Sequence, residues 1–109
     1  MAIKKENPML SSKQRAALRA AANPLEPVFQ IGKGEIDDTL TAAVADCLAA
    51  RELIKLKVLE NSEYSAREAA DILAEATGAD CVQVIGRKFV LFLKKKKDSD
   101  FDAILAKAK

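Results

Sequence analysis

A lysine between two glycines, Gly32-Lys33-Gly34, follows a short apolar run and precedes a long amphipathic segment. Glycines between a strand and a helix can adopt backbone angles closed to other residues, and they let a phosphate approach the backbone closely. Three acids come next and already complement the helix dipole: Glu35, Asp37 and Asp38. The segment is therefore either a phosphate contact or only a tight turn with a solvated lysine.

Two lysines alternate with apolar residues in the segment from Leu53 to Leu59. In an extended strand Lys55 and Lys57 project from the same side, about 7 Å apart, a spacing suited to successive phosphates of a nucleic acid. An ordinary solvated face explains the same pattern. The pair Arg87-Lys88 leaves the same two interpretations open.

Charge is unevenly distributed along the chain, although the net charge is only +2. Residues 1–93 carry 12 basic and 13 acidic side chains, whereas residues 94–109 carry six lysines and three aspartates. The lysine run 94–97 would raise the affinity for any polyanion, or would only keep the chain soluble. Basic residues also come early and acids cluster between residues 60 and 80, so we expect a polarised surface.

Few residues could support catalysis or bind a metal. The chain has no histidine and no nucleophile–base pair at a recognisable spacing. Asp37 and Asp38 could be interpreted as paired catalytic carboxylates, but acids in the first turn of a helix are explained by the helix dipole alone. Cys47 and Cys81 lie among apolar residues, as buried thiols do, and cannot complete a structural zinc site, which takes four ligands. We therefore predict a non-enzyme with no catalytic residue, metal, cofactor or small-molecule substrate.

Aromatic residues make up only 5% of the chain, and no segment has the paired aromatics of an RNA-recognition motif. The phenylalanines of the predicted strands fit a hydrophobic core better than base stacking. If the chain binds a nucleic acid, shape and phosphate contacts are the expected mode.

Capping boxes and apolar periodicity predict the elements that hold these residues. Ser11-Ser12-Lys13-Gln14 opens a first helix to Ala22, and Ser65-Ala66-Arg67-Glu68 opens a third helix that stops at Gly78. A second helix follows from an i, i+4, i+7 stripe, formed by Ile36, Leu40, Ala43, Val44, Cys47 and Leu48.

Strands are predicted at residues 28–31, 53–59, 81–85 and 89–93, the last two as a hairpin around Gly86-Arg87-Lys88. The order α-β-α-β-α-β-β predicts a two-layer α/β (α+β) fold with one mixed four-stranded sheet. At 109 residues the chain fits one domain. Neither a signal peptide nor a membrane span is evident, so we expect a cytoplasmic protein.

Four segments taken together resemble the CRM family, the chloroplast RNA splicing and ribosome maturation domain, in its stand-alone bacterial YhbY-type form. They are residues 9–15 (MLSSKQR), 27–34 (PVFQIGKG), 51–58 (RELIKLKV) and 83–91 (QVIGRKFVL). On this resemblance we divide the chain into an N-terminal extension at 1–8, a CRM-like domain at 9–93 and a basic tail at 94–109.

The resemblance implies a sheet topology similar to the C-terminal domain of bacterial translation initiation factor three. It also implies binding to structured RNA, with bacterial members associating with precursors of the large ribosomal subunit (pre-50S), and a Gly-x-x-Gly loop with nearby basic residues as the expected contact. Here Glu35 replaces the last glycine of that loop. The predicted RNA-binding residues are Lys13, Arg15, Gly32, Lys33, Gly34, Lys55, Lys57, Arg87 and Lys88.

We expect a monomer that contacts no membrane. The alternative function is a protein-interaction module that docks on ribosomal proteins or assembly factors. It would use the acidic third helix or the segment around Phe101.

Overall fold

The computed structural model describes residues 11–34 and 36–94. The elements follow in the order α1 (Ser12–Ala22), β1 (Pro27–Ile31), α2 (Asp38–Arg51), β2 (Leu53–Val58), α3 (Ala66–Thr77), β3 (Asp80–Ile85) and β4 (Lys88–Phe92). This order confirms the predicted α/β fold. Glu35, the predicted extension at residues 1–8 and the tail beyond residue 94, with its Phe101 segment, lie outside the described residues.

Both predicted capping boxes are present. The Ser11 hydroxyl accepts the Gln14 backbone N–H at 3.1 Å, and the Gln14 side chain accepts the Ser11 N–H at 2.9 Å. Ser65 and Glu68 make the same reciprocal bonds at the start of α3. Helix α3 ends at Gly78, whose positive φ of 80° is the left-handed conformation that glycine adopts without strain.

Helix α2 begins two residues later than the apolar stripe predicts. The carboxylate of Asp37 caps it by accepting the Leu40 backbone N–H at 2.9 Å, which leaves Ile36 outside the helix. Ile36 still packs on the core from that position. The stripe therefore predicted the buried face correctly, and the cap decides where the helix begins.

The four strands lie in the order β1-β2-β4-β3, with β1 parallel to β2 and the other neighbours antiparallel. Helices α2 and α3 pack on one face of this sheet and bury most of the core. Its members are Ile31, Val44, Leu48, Ile54, Leu56, Val58, Ala66, Ala69, Ala70, Leu73, Phe89 and Leu91.

Helix α1 packs on the opposite face, so the sheet lies between helices on both sides, where the sequence analysis predicted two layers. Leu18 and Ala22 form a second buried cluster there with Leu53, Val82, Val90 and Phe92 of the sheet. Two polar contacts hold the helix: Arg15 Nη1 donates to the Cys81 carbonyl at 2.9 Å, and Lys55 Nζ donates to the Asn23 carbonyl at 3.4 Å. The helix covers only part of this face, and among the described residues no other element covers the rest.

Candidate nucleic-acid interface

A row of four side chains crosses all four strands at one level of the sheet. Gln30 of β1 pairs with Lys57 of β2, Lys57 pairs with Lys88 of β4, and Lys88 pairs with Ile85 of β3. Paired residues project from the same face, with Cβ atoms about 4.5–5.5 Å apart in an antiparallel pair. We call Gln30, Lys57, Lys88 and Ile85 the lysine row.

The lysine row lies on the same face as α1. Side chains alternate along a strand, and Leu53, two positions before Lys55, belongs to the cluster under α1. Lys55 and Lys57 therefore both point to that face, and they share one side of the strand as the sequence predicted. Both are half-buried. Lys55 lies nearer the helix, where its contact with Asn23 occupies part of its hydrogen-bonding capacity.

Backbone hydrogen bonds bring the glycine loop and the hairpin turn to the end of the sheet beside the lysine row. Leu59 N–H donates to the Ile31 carbonyl at 2.9 Å, so the loop 32–34 leaves β1 next to the segment that follows β2. Val58 N–H donates to the Arg87 carbonyl at 2.7 Å. Three segments that are distant in sequence thus meet at the same end of the sheet.

Gly34 has a φ of 109°, a conformation that side chains with a Cβ rarely adopt. Among the described residues, no heavy atom outside its immediate neighbours lies within 4 Å of a Cβ built at this position. The loop backbone at Gly34 is therefore open to the approach of a bulky group. This geometry is compatible with a phosphate contact, and the acidic neighbour Glu35 lies outside the described residues.

The basic side chains at this end of the sheet differ in whether a carboxylate forms an ion pair with them. Arg87 lies 4.0 Å from the Glu60 carboxylate, and both side chains are exposed, so the pair contributes little to stability and can be exchanged for another anion. Lys33, Lys57 and Lys88 form no ion pair with any carboxylate among residues 11–34 and 36–94. A polyanion would therefore meet these three lysines without displacing a described ion pair.

Lys13 and Arg15 lie away from the lysine row. Arg15 is half-buried and bonded to the carbonyl of Cys81, which lies four residues before Ile85, or about 13 Å along β3. Arg15 therefore helps to hold α1 on the sheet, a role that sequence reasoning missed because its partner lies 66 positions away. Lys13 is exposed in the first turn of α1.

The opposite side of the molecule is acidic. Helices α2 and α3 with the N-cap of α2 expose six carboxylates, Asp37, Asp38, Asp46, Glu68, Asp71 and Glu75. They expose only two basic side chains, Arg51 and Arg67, and Arg67 is paired with Asp71 at 3.5 Å. The two faces of the sheet thus carry opposite charge, in agreement with the polarised surface expected from the sequence.

Among the described residues no group of three or more His, Cys, Asp or Glu side chains could hold a metal ion. Burial raises the pKa of the Cys81 thiol above its ordinary 9.0, and the nearby Arg67 guanidinium offsets part of that rise. A thiol with a raised pKa is a poor nucleophile at neutral pH, because the reactive form is the thiolate.

The profile of the CRS1/YhbY (CRM) domain matches residues 10–92. The chain belongs to the CRS1/YhbY (CRM) domain family. The match confirms the resemblance that the four segments indicated. Two curated relatives agree with it. The probable RNA-binding protein YqeI of Bacillus subtilis is 38% identical over 94 residues, which cover 86% of this chain and 98% of YqeI. An RNA-binding protein of Haemophilus influenzae is 31% identical over 83 residues, which cover 76% of this chain and 84% of that protein.

A solved structure supports both the CRM-domain assignment and the fold. The solution structure of a Staphylococcus aureus protein, described as a candidate RNA-binding protein, is 41% identical to this CRM-domain chain. The TM-score is 0.70, and the match covers 84% of this chain and 95% of the other.

Proposed function

We propose that this CRM-domain protein binds RNA through the part of the α1 face that no described element covers, together with the loop 32–34 and the hairpin turn. The observation that carries the proposal is the convergence of Lys57, Lys88 and the glycine loop at one end of the sheet. The names of the relatives, which describe RNA-binding proteins, support it.

The physical basis of binding is the exchange of counterions. Each lysine that neutralises a phosphate releases condensed cations, so the affinity should fall steeply as the salt concentration rises. The acidic outer surface of α2 and α3 repels the same polyanion, which leaves one orientation in which the protein can approach it. The open backbone at Gly34 allows a phosphate to come closer than a larger residue would permit.

The finer part of the proposal concerns the RNA itself. The resemblance of the four sequence segments to the ribosome-maturation type of CRM domain supports ribosomal RNA of large-subunit precursors as the target, bound during ribosome assembly. We propose that the protein acts in the cytoplasm and as a monomer. No helix within residues 11–34 and 36–94 is long and apolar enough to cross a membrane.

A gel-shift titration of precursor ribosomal RNA at about 50 mM and 200 mM salt tests the proposal with the unchanged protein and three variants. Lys57→Ala and Lys88→Ala should each weaken binding about five- to tenfold at low salt and lower the salt slope by about 0.7 to 0.9. Arg67→Ala, which removes a cation from the acidic side, should bind like the unchanged protein.

Absence of any shift at low salt would refute RNA binding, and an equal loss for all three variants would remove the lysine row from the site. Crosslinking in lysate with and without ribonuclease addresses the alternative function. Partners that persist after complete digestion of the RNA would support a protein-interaction module instead.

A further inference from the structure

Ile85 is the most exposed large hydrophobic residue in the described part of the chain, with 60% of its surface accessible. It lies in the lysine row, directly opposite Lys88. Val28, 38% exposed, lies at the other edge of the same face. Gln30 follows Phe29, which packs into the core on the α2/α3 side, so Gln30 points to the opposite face. Val28 lies at a bulge where Pro27 and Val28 together oppose Lys55, which points to the α1 face.

An aliphatic side chain beside lysines gains nothing from a phosphate. It is stabilised only when another apolar surface covers it and removes water. A partner that carries apolar surface as well as negative charge would therefore use both the lysines and Ile85. A nucleic acid strand has such surface in the faces of its bases, which are available when the bases are unstacked and unpaired.

Gln30 adds a group that can read a base edge. Its amide offers both donors and acceptors, the residue is exposed, and it lies opposite Lys57 in the row. In an A-form RNA duplex the major groove is too deep and narrow for side chains, and only the minor-groove edges of the bases are accessible, whereas a single strand also presents its Watson–Crick edges. The amide of Gln30 therefore has more base edges available to it in an unpaired strand than in a duplex.

We infer that the surface formed by Val28, Gln30, Lys57, Lys88 and Ile85 binds an unpaired segment of RNA. Lys57 and Lys88 hold its phosphates, Ile85 and Val28 cover base faces, and Gln30 bonds to a base edge. The row spans three strand spacings, about 14 Å, which is room for a few nucleotides. The inference rests on the proposed function and specifies its substrate as single-stranded RNA.

Fluorescence anisotropy with a labelled 12-nucleotide unstructured RNA, and with the same strand annealed to its complement, tests this inference. The unchanged protein should bind the single strand at least about tenfold more tightly than the duplex. Ile85→Ala and Gln30→Ala should each weaken single-strand binding about threefold to tenfold. Neither should alter the salt slope or the duplex affinity, because neither removes a charge.

Ile72→Ala is the matched control, since Ile72 is an exposed isoleucine (39%) on α3, and it should leave both affinities unchanged. Circular dichroism of each variant confirms the fold. Equal binding to the two RNA forms, or single-strand binding unchanged in both Ile85→Ala and Gln30→Ala, would overturn the inference. In those cases a loss in Lys57→Ala would still support RNA binding, whereas failure of the unchanged protein to bind either form would refute the proposed function itself.

Discussion

Lys57 and Lys88 face each other on neighbouring antiparallel strands, and like charges in this position destabilise a sheet. Neither lysine forms an ion pair with a described carboxylate. The fold therefore carries a local repulsion that a bound anion would relieve. A binding site for a polyanion must hold its positive charges close together before the ligand arrives. The repulsion between Lys57 and Lys88 is a consequence of that requirement.

Lys88→Glu should consequently move stability and binding in opposite directions. Placing a carboxylate opposite Lys57 replaces a repulsion by an attraction, so the free energy of unfolding should rise by about 0.5 kcal/mol. RNA affinity should fall more than in Lys88→Ala, since the reversed charge repels phosphates. Urea unfolding and the gel shift measure the two effects.

Arg67→Glu provides the comparison for this variant. It makes the same charge change on the α2/α3 side, where it breaks the exposed pair with Asp71 and should leave RNA binding nearly unaltered. A decrease in both stability and binding for Lys88→Glu would contradict the idea that the lysine pair is retained for the ligand.

Sequence reasoning predicted part of this residue-scale arrangement. The alternation in β2 predicted that Lys55 and Lys57 share a face, because the period of a strand is two. The pairing of Lys57 with Lys88 and the bond from Arg15 to the Cys81 carbonyl could not be predicted in the same way. Both join residues that are far apart in the chain, and only the strand order brings them together.

At the scale of elements, helix α1 depends on a small cluster. Leu18 and Ala22 are its two buried apolar residues in the contact with the sheet, and Leu18 is fully buried. The starts of α1 and α3 followed from capping boxes, which join residues three positions apart. The sequence did not predict the face of the sheet on which α1 packs, because the pattern of an Ala-rich helix indicates its buried side only weakly.

Leu18→Ala should lower the free energy of unfolding by about 2 to 5 kcal/mol, because it empties a fully buried site. It should also weaken RNA binding, since α1 borders the open surface and its Asn23 carbonyl orients Lys55. Urea denaturation followed by circular dichroism gives the stability change.

Leu25→Ala is the control for the helix, since Leu25 follows α1 and is 36% exposed. Its substitution should change the stability by no more than about 0.5 kcal/mol. Equal effects of the two leucine substitutions would show that α1 is not anchored by Leu18. Loss of stability without loss of RNA binding would separate the helix from the binding surface.

At the scale of the whole molecule, the sheet divides two surfaces of opposite charge. The lysine row and the glycine loop lie on or beside one face, and the six exposed carboxylates of α2, α3 and the α2 cap lie on the other. The net charge of +2 conceals this separation. The sequence suggested it only through the position of charges along the chain, and the topology converts that order into two faces.

This division predicts that RNA touches only one side of the protein. In a heteronuclear NMR titration with the 12-nucleotide single strand, backbone amide shifts should change in residues 28–34, 55–58 and 85–90. Amides along the outer surfaces of α2 and α3 should keep their positions, because carboxylates there repel phosphates. Raising the salt from about 50 mM to 500 mM should reverse the changes, as expected for contacts that depend on counterion release. Shifts centred on Glu68, Asp71 and Glu75 would reverse the assignment of the binding face, and would point to recognition of a basic partner by the acidic side instead.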